Sequence, residues 1–219
     1  MGMNKIIIVD DHSLFREGIK LLIENEGFGE VIAEAENGAI FLDLLQTVVP
    51  DLVIMDIEMP VMDGLEATQK ALKIYPDLKI LVLTMLNQKA NYFDMVNAGA
   101  LGFVLKTSGK KEFEKAINAI MQGESYFSNE LLRQIIINTN TDNFPATVNN
   151  DYNPDNLTPR EKEVLHCFCK GYTATEMAVK LFISPKTVET HRSALLKKTN
   201  SKNTINLVLF AIKHKLVEI

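Results

Sequence analysis

Residues 52–56 read Leu-Val-Ile-Met-Asp: four apolar side chains in a row, closed by a carboxylate. A run that is continuous rather than alternating is what a strand covered on both faces requires. The same form recurs along the first half of the chain. Ile6-Ile7-Ile8-Val9 runs into Asp10 and Asp11, Ile80-Leu81-Val82-Leu83 into Thr84, and Phe103-Val104-Leu105 into Lys106. A fifth run spans Val31 to Ala35. Between the runs lie stretches with apolar residues at helical spacing, among them Phe15 to Ile23, Ala39 to Val48 and Phe113 to Met121. Five strands alternating with helices predict βα units on a parallel sheet, and right-handed connections make a doubly wound α/β fold the economical arrangement.

The pattern changes after residue 127. Residues 128–139, SNELLRQIIINT, have the composition of one further helix. From Asn138 to Asn156, 7 of 19 residues are Asn, with two Pro and three Asp, a composition that predicts a flexible linker. A second, all-helical module follows and marks its own helix starts. Thr158-Pro159-Arg160-Glu161 has a capping Thr, Pro at the first helical position and Glu at the third. Thr173-Ala174-Thr175-Glu176 repeats the box, and Ser184-Pro185 supplies another cap and first-turn Pro. A last helix is expected over about Asn203 to Lys215. The expected organisation is therefore a first domain at 3–122, a linker at 123–154 and a helical domain at 155–219.

Charge divides the same way. Residues 1–127 carry 11 Lys and Arg against 19 Asp and Glu, a net of −8, whereas 152–219 carry 11 against 6, a net of +5. A basic tail behind an acidic front points to a polyanion as partner of the tail. With 47% apolar and 23% charged residues the chain is neither disordered nor fibrous, and no apolar run reaches the roughly 18 residues of a membrane span. Neither a secretory signal nor a disulfide framework is expected, since the N-terminus reaches acidic residues by Asp10 and the only cysteines are Cys167 and Cys169. A cytoplasmic protein without a membrane partner is the expectation.

In an open parallel sheet, functional groups gather beyond the carboxyl ends of the strands. Those positions here are Asp10, Asp11, Asp56, Thr84 and Lys106. Three converging carboxylates repel unless a cation joins them, and Mg²⁺ takes oxygen ligands of this kind. A lysine ammonium and a threonine hydroxyl on the same rim suit the remaining oxygens of a phosphoryl group. The set is therefore read as an arrangement for accepting phosphate on a carboxylate.

VDDH at 9–12, DIEMPVMDG at 56–64, LTM at 83–85 and GFVLK at 102–106 resemble the receiver domain of two-component response regulators, over all of residues 3–122. The resemblance implies a flavodoxin-like sheet of strand order 2-1-3-4-5, with Asp56 as phospho-acceptor. It also implies Mg²⁺ held by Asp11, by Asp10 through water, by Asp56 and by the backbone carbonyl of Glu58. Lys106 is implied to pair with a phosphoryl oxygen. Thr84 and Phe103 are the implied switch, with Phe103 turning inward as the Thr84 hydroxyl moves. A sensor histidine kinase is the implied phosphodonor. Where many receivers have Pro after the lysine, this chain has Thr107, so a trans bond is expected there. A haloacid-dehalogenase-type phosphohydrolase is the alternative, but its second Asp is here Glu58.

LTPREKEVL at 157–165 and the KGYTATEMAVKLFISPKTVETHRSALLKKT stretch resemble the LuxR-type DNA-binding domain of the NarL/FixJ subfamily. That resemblance implies a helix-turn-helix at about 173–199 whose second helix enters the major groove of double-stranded DNA. With Val188 at the centre of a buried face, helical spacing places Leu195 and Thr199 beside it and Lys186, Glu189, Thr190, Ser193 and Lys197 opposite. Those residues, with Thr187, Arg192 and Lys198, are the candidate DNA contacts. Glu189 stands out because a carboxylate near phosphates is unfavourable, although it can accept from cytosine N4. The last helix is implied to be a homodimer contact, and Lys215 replaces the Gly usual near its end. Cys167 and Cys169 diverge by about 200° on a helix, so one core and one surface thiol are expected rather than a metal site.

Overall fold

The computed structural model describes residues 3–85, 92–128, 156–201 and 204–217. The helix expected at 128–139, apart from Ser128, and residues 129–154 of the expected 123–154 linker lie outside the described residues. The chain divides into two compact units, Met1–Tyr126 and Phe127–Ile219. No described helix is long and apolar enough to cross a membrane.

The first unit alternates strands and helices: β1 (Lys5–Val9), α1 (Ser13–Asn25), β2 (Glu30–Ala35), α2 (Gly38–Leu45), β3 (Leu52–Asp56), α3 (Gly64–Ile74), β4 (Ile80–Thr84), α4 (Tyr92–Ala98), β5 (Gly102–Leu105) and α5 (Lys110–Met121). The sheet order is β2-β1-β3-β4-β5-β6, and the first five strands pair in parallel. The sixth strand, β6 (Tyr126–Phe127), corrects the expected five. Two residues carry no readable period, so only the pairing at the sheet edge reveals it, through the bond from Tyr126 N–H to the Leu101 carbonyl. Ile6, Ile8, Leu52, Ile54, Leu81, Leu83 and Val104 pack with Ile23, Phe113, Ile117 and Ile120 of α1 and α5. The alternate residues Ile7, Val9, Val53, Met55 and Val82 are equally buried, which accounts for the continuous apolar runs.

Register aligns the strand ends. Val9 lies opposite Met55, Asp56 opposite Leu83, and Thr84 opposite Leu105. One further step along β1 and β5 brings Asp10 and Lys106 to the same rim. The turn after β3 is tight: a Cβ at Gly64 would lie 2.0 Å from the Asp56 carbonyl oxygen, so only glycine fits. Asp63 then caps α3 by accepting from the Glu66 N–H at 2.8 Å.

The second unit holds α6 (Pro159–Cys169), α7 (Ala174–Leu181), α8 (Pro185–Thr199) and α9 (Thr204–Lys213). Both capping boxes form, at Thr158 with Glu161 and at Thr173 with Glu176, and Ser184 caps α8 ahead of Pro185. The α7–α8 turn passes through Phe182 at φ 54°, a left-handed residue that is nonetheless an exposed aromatic. Lys215 also takes a left-handed φ of 52°, so it serves the helix end where Gly is usual. Leu207, Val208, Leu209, Phe210 and Ala211 are all buried. Five consecutive positions span every side of a helix, so α9 packs as a core helix. Both cysteines are buried, which corrects the expected surface thiol, and burial pushes the Cys169 thiol up to about 12.

Candidate functional site

At the carboxyl rim of the sheet, Lys106 sits between two carboxylates. Its Nζ is 2.6 Å from Asp10 Oδ2 and 2.7 Å from Asp56 Oδ2. All three side chains are almost wholly buried. Asp56 Oδ1 accepts from its neighbour's backbone, the Ile57 N–H, at 2.8 Å. Burial raises the Asp56 pKa and Asp10 adds to the rise, while the hydrogen bond and charge of Lys106 oppose it. Burial disfavours the Lys106 ammonium, but its bonds to Asp10 and Asp56 outweigh this and hold it above the ordinary lysine value.

Asp11 stands at the mouth, where its Oδ1 is 2.7 Å from His12 Nδ1. Ligand atoms of Asp10, Asp11, His12 and Asp56 all lie within 4.8 Å of one another. This is a donor set, mostly carboxylate oxygen, that suits a metal ion. Thr84 is wholly buried at the end of β4, and its hydroxyl donates to the Met85 carbonyl at a long 3.4 Å. Phe103 is also wholly buried, so its side chain already occupies an inward position. Glu58 follows Asp56 by two residues and is exposed. The peptide bond after Lys106 is trans, as are all those described.

Three participants carried no readable role in the sequence. Phe15 lies under the Lys106 ammonium, 4.9 Å from ring centroid to Nζ. Arg16 donates to the Asp10 carbonyl at 2.5 Å, and His12 donates its N–H to Asp10 Oδ1 at 2.9 Å. Phe15 and Arg16 reach the site only because α1 packs beside β1; the quoted VDDH motif was the one available signal for His12. Beside Lys106 opens a cavity of about 490 Å³ lined by His12, Leu14, Phe15, Ile19, Met85 and Thr107 among others.

In the second unit, α8 buries Val188, Leu195 and Thr199 and exposes Lys186, Glu189, Thr190, Ser193 and Lys197. The division is the one helical spacing predicts. Thr187 and Arg192 are half-buried on the flanks. Two of the candidate cations are already engaged. Arg192 Nη1 reaches both Glu189 oxygens, at 3.1 and 2.9 Å. Lys198 Nζ is 2.8 Å from Oε2 of the buried Glu161 and 3.1 Å from the Asn156 carbonyl. Lys198 thus ties the C-terminal turn of α8 to the capping box of α6.

Residues 6–118 match the response regulator receiver domain, and residues 155–211 match the bacterial regulatory proteins of the luxR family. The oxygen regulatory protein NreC of Staphylococcus epidermidis is 35% identical over 216 residues, covering 98% of this chain and 99% of that protein. The RcsB response regulator of Salmonella typhimurium, solved in a study of its conformational dynamism for DNA interaction, is similar at 27% identity and a TM-score of 0.58, covering 96% of this chain and 98% of that one. A structure of two RcsB dimers bound to two parallel DNAs is similar at 26% identity and a TM-score of 0.58, covering 97% and 99%. The acidic rim, the helix-turn-helix and these likenesses extend over nearly the whole chain, and together they make it a member of the NarL/FixJ-type response regulators, a DNA-binding regulator of transcription and not a metabolic enzyme.

Proposed function

We propose that Asp56 is the phospho-acceptor of this response regulator, and that phosphorylation at the receiver, residues 3–122, controls DNA binding by residues 155–219 through the 123–154 connection. The observation that carries the reading is Lys106, held 2.7 Å from Asp56 Oδ2 and 2.6 Å from Asp10 Oδ2. An ammonium at that point meets an incoming phosphoryl oxygen as soon as it is released from Asp56. The carboxylate donors within 4.8 Å of one another fit Mg²⁺, with Asp10, Asp11, Asp56 and the Glu58 carbonyl as the residues that hold it. When bound, Mg²⁺ supplies the positive charge that lets a dianionic phosphoryl group approach buried carboxylates. Asp56 attacks phosphorus, the donor's bond to phosphorus breaks, and the Ile57 N–H steadies the carboxylate meanwhile. Thr84 at the end of β4 and Phe103 on β5, both wholly buried, form the switch that senses the new group.

The donor is a sensor histidine kinase. The largely apolar cavity beside Lys106, with Leu14 and Met85 exposed, is a suitable seat for a helix that presents a phosphohistidine. In the second unit α8 is the element that enters the major groove, with Lys186 and Lys197 toward phosphates and Thr187, Thr190 and Ser193 toward base edges. The activated form is a homodimer on DNA, since one short helix reads few base pairs and a two-fold pair doubles them. The free, buried thiols accord with a cytoplasmic setting. Incubation with acetyl phosphate and Mg²⁺ tests the assignment. One phosphoryl group labile to alkali and hydroxylamine is expected, absent in Asp56→Asn and slowed in Asp11→Ala; labelling that persists in Asp56→Asn overturns it.

A further inference from the structure

Glu189 is the only carboxylate of α8, and it is placed where a carboxylate is hardest to explain. Its side chain is 52% exposed, between the exposed Lys186 and Ser193 on the outward side of the helix. The partner that neutralises it is on the same helix. Arg192 is 18% exposed, and its Nη1 bonds both Glu189 oxygens while its Nε is buried with no hydrogen-bond partner among the described residues. The pair is thus anchored at the arginine end and open at the glutamate end. Each carboxylate oxygen accepts one bond from Arg192 and has capacity for another.

Against DNA, such a group has few partners. Phosphates are acceptors and repel it. In the major groove, guanine shows O6 and N7 and thymine shows O4, all acceptors, so both bases are refused. Adenine offers its N6 amino group beside the acceptor N7, whereas cytosine offers N4 with no acceptor of its own alongside. We propose that Glu189 is a specificity-determining residue that accepts a hydrogen bond from N4 of a cytosine in each half-site, with Arg192 as the positioning residue that holds and neutralises the carboxylate. The inference rests on the reading of α8 as the DNA-facing helix and adds the base it selects.

Selection from a pool of random duplex DNA by the full chain, treated with acetyl phosphate and Mg²⁺, tests it. Wild type should enrich a sequence with cytosine at one position of each half-site. Glu189→Gln should move the preference at that position alone to adenine, whose N6 and N7 match the glutamine amide. Glu189→Ala should relax that position, with about a 5- to 150-fold loss of discrimination and the rest of the site unchanged. Arg192→Met should weaken the cytosine preference without replacing it by another base. The proposal is overturned if Glu189→Gln and Glu189→Ala enrich the wild-type sequence at undiminished strength. Equal weakening at all positions also overturns it, because that result means the pair only stabilises the helix. A pool from which wild type enriches nothing removes the DNA-facing reading of α8 along with this inference.

Discussion

Lys106 bonds two buried carboxylates at once, and this sets the energetic state of each residue around it. Burial raises the Asp56 pKa above its usual 3.8 despite the lysine, so ionised Asp56 costs folding stability. That cost is absent below the unfolded value and fully present once the pH exceeds the folded one. At pH 7, in metal-free buffer, Asp56→Asn is therefore expected to stabilise the chain and to raise the unfolding temperature. Asparagine keeps an oxygen for the Ile57 N–H, and Lys106 keeps Asp10. Calorimetry checks this, and a lowered unfolding temperature contradicts it. The candidate residues Asp10, Asp56, Thr84 and Lys106 were legible in the sequence because each ends an apolar strand. Phe15 was not, because its contact with Lys106 spans two elements.

At the scale of elements, α8 separates cations that face outward from cations that hold the fold. Neutralising Lys197, which is exposed, should flatten the log–log salt dependence of DNA binding by about one unit if it displaces one phosphate counterion. Lys198→Met should leave the slope nearly unchanged and lower stability by about 1–3 kcal/mol, because it leaves the buried Glu161 charge with only its Thr158 bonds. Burial works against the ionised Glu161, but Lys198 and the Thr158 bonds outweigh it and hold its pKa below the usual 4.5. The contribution of this pair is fully present above pH 4.5 and is lost as the pH falls through the lower, folded value. The stability gap between wild type and Glu161→Gln, measured by urea unfolding, should accordingly be constant down to about pH 5 and close below it. A gap that widens on acidification contradicts this. The capping boxes at Thr158 and Thr173 were readable because capping is a local rule. The left-handed Phe182 and Lys215 were not, because neither residue type prefers that conformation.

At the scale of the whole molecule, an acidic unit that takes a phosphoryl group is joined to a basic unit that takes DNA. Acetyl phosphate with Mg²⁺ is expected to shift the sedimenting species from monomer toward dimer and to tighten DNA binding in parallel, with Asp56→Asn blind to both effects. Tighter binding by a chain that stays monomeric would refute coupling through dimerisation. The sequence by itself determined the architecture: a doubly wound sheet, a helix-turn-helix and the rim on which Asp10, Asp56, Thr84 and Lys106 meet. Strand and helix periods, caps and charge are properties of neighbouring residues, and such rules can be read along one dimension. Only the tertiary structure decided who pairs with whom. Lys106 meets Asp56 across 50 positions, Lys198 meets Glu161 across 37, β6 joins the sheet edge, and both cysteines turn inward. Those outcomes depend on distances between elements far apart in the chain, which packing and parallel register fix and no local periodicity encodes.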